Sequence, residues 1–170
     1  MTEREIRTEK RLKLVWAHPS LCRFLIVFGK VCQYSVAVYF LTHLVLQMCF
    51  MHHFRALIIA LSAAFGFVFV TVMRKVITAP RPYEVMKFCD TPPREKRGES
   101  FPSRHAYSAV VIAVLSASLT PWCLIGTVPV AIYICVSRAV LGIHFPRDVI
   151  VGALFGILFG VFGLVISYFL

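Results

Sequence analysis

The sequence predicts an all-α fold, a polytopic transmembrane helix bundle of about five spans plus an N-terminal interfacial helix. Three observations lead there. Of 170 residues, 59% are hydrophobic and only 15% charged, whereas an ordinary soluble domain is about 45–50% apolar and roughly 25% charged. The mean hydropathy is +0.79. The apolar residues also fall in charge-free runs close to the roughly 20 that a helix needs to cross a hydrocarbon core about 30 Å thick. Together these exclude a disordered tail, a disulfide-stapled secreted module and a typical water-soluble enzyme. The length suits one domain, 1–170.

Residues 1–32 read as a basic tail (Arg4, Arg7, Lys10, Arg11, Lys13) and an interfacial segment. The tail does not read as a signal peptide, because His18, Pro19, Arg23 and Lys30 interrupt the apolar stretch that should follow. Leu21–Lys30 is either an interfacial helix or an extension of the first span. The transmembrane core, 33–170, holds spans at about 33–51, 56–78, 105–119, 122–138 and 148–170, the third being short. Thr120-Pro121 separates the third from the fourth. One long polar connection, 79–104, carries Pro80, Pro82, Pro92 and Pro93; a loop of that length in a compact bundle is usually functional. In the last span Gly152, Gly156 and Gly160 recur every fourth residue, which puts them on one helical face suited to close packing. The six cysteines show no paired spacing, so they read as small buried hydrophobes rather than a disulfide or zinc framework.

The net charge is +10. Nucleic-acid binding needs a soluble basic surface, so no nucleic-acid partner is expected; an anionic lipid headgroup fits both charge and hydropathy. With five spans, the tail, the long loop and the 138–147 connection share one side of the membrane. That side collects 17 of the 18 Lys/Arg, Arg55 being the exception, and all eight acids. Positive-inside counting assigns it to the cytoplasm. Arginines that bind an anion carry no topological weight, so the shared side is the expectation, not its identity.

Three polar clusters fall at helix ends on that side. The first is Arg74-Lys75 followed by Ala79-Pro80-Arg81-Pro82. Proline restricts the residue before it and cannot donate to a helix, so the second span should stop near Ala79, with Arg74 two turns earlier on the way to Arg81. The plain alternative is snorkelling of Arg74 and Lys75 to the interface. The second cluster is Ser100-Phe101-Pro102-Ser103-Arg104-His105, where Ser103 is a good N-cap and the helix start is an anion site. The third is Ser137-Arg138, His144 and Asp148, with Pro146 at the first helical position and His144 placed to hydrogen-bond Asp148. At least three arginines, two histidines, a carboxylate and a helix N-terminus are what phosphoryl transfer asks for.

The same residues resemble the motifs of the type 2 phosphatidic acid phosphatase superfamily: Lys-x6-Arg-Pro, Pro-Ser-Gly-His and Ser-Arg-x5-His-x3-Asp. Here they read Arg74-x6-Arg81-Pro82, Pro102-Ser103-Arg104-His105 and Ser137-Arg138-x5-His144-x3-Asp148. The third is a full match, and the resemblance covers roughly 70–170. Two positions depart. Arg74 stands where the family has lysine, which exchanges a point charge for a planar fork. Arg104 stands where it has glycine, either adding a positive group near the headgroup or pointing to the interface.

The resemblance implies a bacterial-type, short integral membrane phosphatase, multi-pass in the plasma membrane, working by a metal-free double displacement with no cofactor. His144 would attack phosphorus to form a phosphohistidine, and Asp148 would orient it. His105 would protonate the leaving oxygen and then help water attack. Arg74, Arg81 and Arg138 would neutralise the phosphoryl oxygens, with Arg104 near them and Ser103 and the helix-start amides completing the cradle. The substrate would be a phospholipid or isoprenoid phosphate among membrane lipids, either a phosphomonoester or a polyprenyl diphosphate; no obligate protein partner is implied. Phosphatidic acid, phosphatidylglycerol phosphate, undecaprenyl diphosphate and lipid A phosphate present the same headgroup chemistry. Two alternatives stand beside this: a lipid phosphotransferase using the same intermediate, and a non-catalytic protein that binds anionic lipid.

Overall fold

The computed structural model describes residues 3–50, 53–88 and 98–169. Those residues form seven helices and no strand: α1 (Glu3–Trp16), α2 (Pro19–Phe50), α3 (His53–Ile77), α4 (Pro82–Val85), α5 (Arg104–Ser116), α6 (Cys123–Val140) and α7 (Pro146–Phe169). Four stretches are long and apolar enough to cross a membrane, Pro19–Phe50, His53–Val85, Cys123–Val140 and Pro146–Phe169. The chain is a multi-pass integral membrane protein. Its bundle faces lipid with rows of exposed apolar side chains, among them Phe24, Phe28, Phe65, Val68, Leu154 and Phe162.

Of the two alternatives for Leu21–Lys30, the extension of the first span is the one found, since α2 runs unbroken for 32 residues, about 48 Å at 1.5 Å per residue. The third span ends at Ser116 rather than 119 and is only 13 residues long. It is the centre of the bundle, where Tyr107, Val111 and Leu115 are buried with Ile59, Ala63 and Val70 of α3. A helix shielded by its neighbours need not span the hydrocarbon unaided. The basic tail, finally, is mostly helix. Glu3–Arg7 (2.8 Å) and Glu9–Lys13 (2.7 Å) pair at i, i+4 along it. Its other face buries Leu12 against Met86 and Phe88, with Trp16 packed alongside.

Helix contacts are fixed by small residues and by hydrogen bonds across the apolar interior, as expected where lipid removes the hydrophobic drive between helices. Ser62 Oγ donates to Phe159 O (2.5 Å) and Tyr107 OH to Ala63 O (2.8 Å). The glycine ridge of α7 lies against α5: a Cβ at Gly156 or Gly160 would meet Val110 or Val114. The five described cysteines are free; Cys22 and Cys32 are buried as expected, whereas Cys49 is exposed. Cys89 and the prolines at 92 and 93 lie outside the described residues.

Candidate active site

Local rules bring the three clusters together at the α1 end of the bundle. At Thr78 the backbone turns to φ 43° and α3 ends. The next residue, Ala79, accepts a hydrogen bond from Ser100 N (2.9 Å), so both ends of the long loop meet above α3. Ser103 caps α5 and accepts from Ala106 N (3.4 Å). Its own N–H donates to Asp148 O (2.9 Å), which ties the start of α5 to the first turn of α7. Gly152 makes this possible, because a Cβ there would sit on the Ser103 carbonyl oxygen.

The end of α6 sets the loop that carries His144. Gly142 N donates to Ala139 O (3.1 Å) and Ile143 N to Arg138 O (3.0 Å), with Gly142 at φ 67°. This is a Schellman ending, whose left-handed position suits glycine. The reversal carries His144 back over α6, where its N–H donates to Arg138 O (3.2 Å). Leu12 of α1 and Phe88 fill the space that a side chain at Gly142 would need.

All eight residues singled out from the sequence lie at this end. Arg74, Arg81, Ser103, Arg138, His144 and Asp148 are buried; Arg104 and His105 are half-buried. Arg74 donates to Pro102 O (2.7 Å) and Ser100 O (3.5 Å), while its Nε has no partner among the described residues. Arg81 reaches Gly98 O (3.0 Å), Glu99 O (3.4 Å) and Ile143 O (3.4 Å), joining the long loop to the α6–α7 loop. The arginines therefore build the cradle's walls, and a guanidinium with five N–H donors can do so and still present donors to an anion. Arg138 lies against Gly29 of α2, its Nη2 3.6 Å from where a Cβ would stand. Arg104 rests over the Phe67 ring of α3, 5.9 Å from its centroid.

One expectation changes. His144 and Asp148 do not bond directly; Nδ1 and Oδ2 are 3.9 Å apart. Ser100 stands between them, its Oγ 2.5 Å from Asp148 Oδ2 and 3.3 Å from His144 Nδ1. A hydroxyl carries one proton, and against a carboxylate it donates. Ser100 must then accept from His144 Nδ1–H, which leaves Nε2 as the bare lone pair. Asp148 is held in turn by Phe145 N (3.1 Å) at Oδ2 and by Arg147 Nε (3.5 Å) at Oδ1. The imidazole's pKa is driven well below the ordinary histidine range, first by burial and then by the nearby charges of Arg81, Arg74 and His105. A neutral, oriented imidazole with the guanidiniums of Arg81 and Arg74 nearby has the arrangement that nucleophilic attack on an anion requires.

Ser100, Arg147 and Gly142 are the residues that sequence reasoning left without a role. Ser100 stands in the second motif cluster but 44 positions from His144, and no spacing rule spans that distance. Gly142 did carry a signal, as a glycine just past the last apolar turn of α6. Among the described residues, no group of three or more His, Cys, Asp or Glu side chains is arranged to hold a metal ion.

A family model described as the PAP2 superfamily matches residues 55–169. Among solved structures the chain is similar to LpxE of Aquifex aeolicus, at 29% identity and a TM-score of 0.69, over 86% of this chain and 87% of that one. It is also similar to the first transmembrane PAP2 type phosphatidylglycerolphosphate phosphatase from Bacillus subtilis, with a TM-score of 0.75 over 99% of this chain and 88% of that one. At 19% identity the second likeness concerns the fold alone. A search of curated protein sequences finds no match. The family match spans more than half the chain and contains all three motif clusters, in order and converging on one cradle, and so this protein belongs to the PAP2 superfamily.

Proposed function

We propose that the chain is a metal-independent membrane lipid phosphatase, one domain over 1–170, that hydrolyses a lipid phosphomonoester or polyprenyl diphosphate through a phosphohistidine. The observation that carries this reading is the His144–Ser100–Asp148 chain, which leaves His144 Nε2 unprotonated inside a ring of buried arginines. The superfamily match supports it.

In the first step His144 Nε2 bonds to phosphorus as the bond to the leaving oxygen breaks, and His105 gives that oxygen its proton. In the second, His105 takes a proton from water, the water oxygen bonds to phosphorus, and the P–N bond breaks to restore His144. Arg74, Arg81 and Arg138 hold the equatorial oxygens, where positive charge stabilises the transition state most. Ser103 and the first amides of α5 complete the cradle, with Arg104 at its edge. Positioned acid–base catalysis by His105 contributes about 10²–10⁴ in rate. The setting that goes with this reading is a bacterial plasma membrane, with α1 and the active site on one side.

The test is release of inorganic phosphate from a lipid phosphate with water as the acceptor, in the presence of EDTA and with vanadate as inhibitor. Turnover that survives chelation, stops with vanadate and leaves acid-labile label on His144 is expected. Complete loss in EDTA with recovery in Mg²⁺ would overturn the mechanism. Transfer of phosphate to a second lipid without release would identify a phosphotransferase, and saturable binding without turnover a lipid-binding protein.

A further inference from the structure

Two cavities flank α5 on its α2 side. One, of about 270 Å³, is lined by Gln33, Tyr34 and Ala37 of α2, by His105 and Ser108 of α5, and by Ile134 of α6. The other, of about 320 Å³, runs between α2, α3 and α5 past Phe40, Ala64, Phe67 and Tyr107. They share Ser108 and Ile112, so they are neighbouring grooves rather than separate sites. The second is almost wholly apolar. The first has His105 at its upper end, and α2 and α5 both run from there into the bilayer.

Gln33 is the unusual member. Its Nε2 is buried and has no hydrogen-bond partner among the described residues, and a buried amide donor left unpaired is costly. It lies one helical turn below Gly29, the residue against which Arg138 packs. A donor on the same α2 face as the anion cradle, in the groove that holds His105, lies where the leaving side of a substrate would rest.

Resting on the phosphatase reading above, we infer that Gln33 is a specificity residue that donates a hydrogen bond to an acyl carbonyl a few bonds beyond the leaving oxygen, and that the two grooves take the chains of a two-chain acylated lipid phosphate. A polyprenyl phosphate offers one chain and no acceptor beyond its phosphate, so it leaves Gln33 unpaired. A site built to hydrogen-bond a substrate group discriminates against analogues that lack it.

The experiment compares diacyl phosphatidic acid with its dialkyl ether analogue, which keeps both chains and lacks both carbonyls, using the full-length protein in nanodiscs. The wild type should favour the diacyl lipid in kcat/KM by about three- to tenfold, the range of one neutral hydrogen bond. Gln33→Met, which keeps the volume, should bring that ratio close to one. Equal kcat/KM on the two lipids in the wild type would overturn the inference, as would an undiminished preference in Gln33→Met. The wild-type comparison decides the matter even if the variant fails to fold. Release of phosphate from a polyprenyl diphosphate but from neither two-chain lipid would overturn the inference and leave the phosphatase reading standing; release from none of the three would sink the phosphatase reading, and this inference with it.

Discussion

The bundle buries a histidine against a serine at both ends, and the two sites differ in one partner. At the α1 end, Ser100 bridges His144 and the carboxylate of Asp148. At the far end, Ser118 Oγ lies 3.0 Å from His43 Nε2 and accepts from Gln47 Nε2 at 3.0 Å. Its own proton goes to Leu115 O, 2.7 Å away. Both histidines are 1% exposed. Only the first serine has a carboxylate to donate to, and only the first histidine has Arg74 and Arg81 close enough to oppose its protonation. The far cluster is a hydrogen-bonded brace between α2 and the end of α5. A polar group inside a membrane bundle is a reason to suspect function; of the two histidines, only the one at the α1 end has the carboxylate and guanidinium neighbours that the proposed chemistry needs.

The sharpest way to break that comparison is to truncate both histidines. His144→Ala should lower kcat by about 10⁴-fold or more, the scale for losing a nucleophile, on lipid phosphate and on p-nitrophenyl phosphate alike. His43→Ala should stay within about threefold of wild type. Similar losses in both variants would erase the distinction between the two ends.

His105→Ala sharpens the chemistry at the near end. On a lipid phosphate, whose alcohol leaves poorly without a proton, the loss should be about 10²–10⁴-fold. On p-nitrophenyl phosphate it should be much smaller, because that leaving group departs as an anion. Equal losses on the two substrates would mean that His105 is not the acid.

The charge around His144 sets a pH signature. Its folded pKa lies well below 6.5, through burial first and then through Arg81, Arg74 and His105, so the imidazole stays neutral in mild acid. Corrected for ionisation of the substrate, kcat/KM should therefore hold through pH 5. Arg81→Gln removes a charge that opposes the imidazolium, so the pKa rises and the acid limb should move up by about one unit. A limb that stays in place, or moves down, would contradict the electrostatic account.

The smallest effect concerns packing. Gly152→Ala places a methyl on the Ser103 carbonyl and should cost about 1–3 kcal/mol, as overpacking does, with lower activity because the α5 start is displaced. Gly126→Ala on α6 meets nothing within 4 Å and should be neutral or stabilising by up to about 1 kcal/mol. Thermal unfolding of the two variants in the same detergent makes the comparison.

The sequence by itself determined the membrane class, the positions of the main spans and the shared location of the arginines, Ser103, His105, His144 and Asp148. Those properties are local: apolar run length, a capping serine, a proline at a helix start and fixed spacings across one turn. Only the tertiary structure decided that Ser100 stands between His144 and Asp148, that Leu12 of α1 backs the α6–α7 loop, and that Gln33 shares a groove with His105. Each of these joins elements that are 44 or more residues apart in the chain. Such contacts depend on how helices approach one another: the four-residue glycine period of α7 marks a packing face, but neither it nor the hydrogen bonds between helices say which partner that face meets.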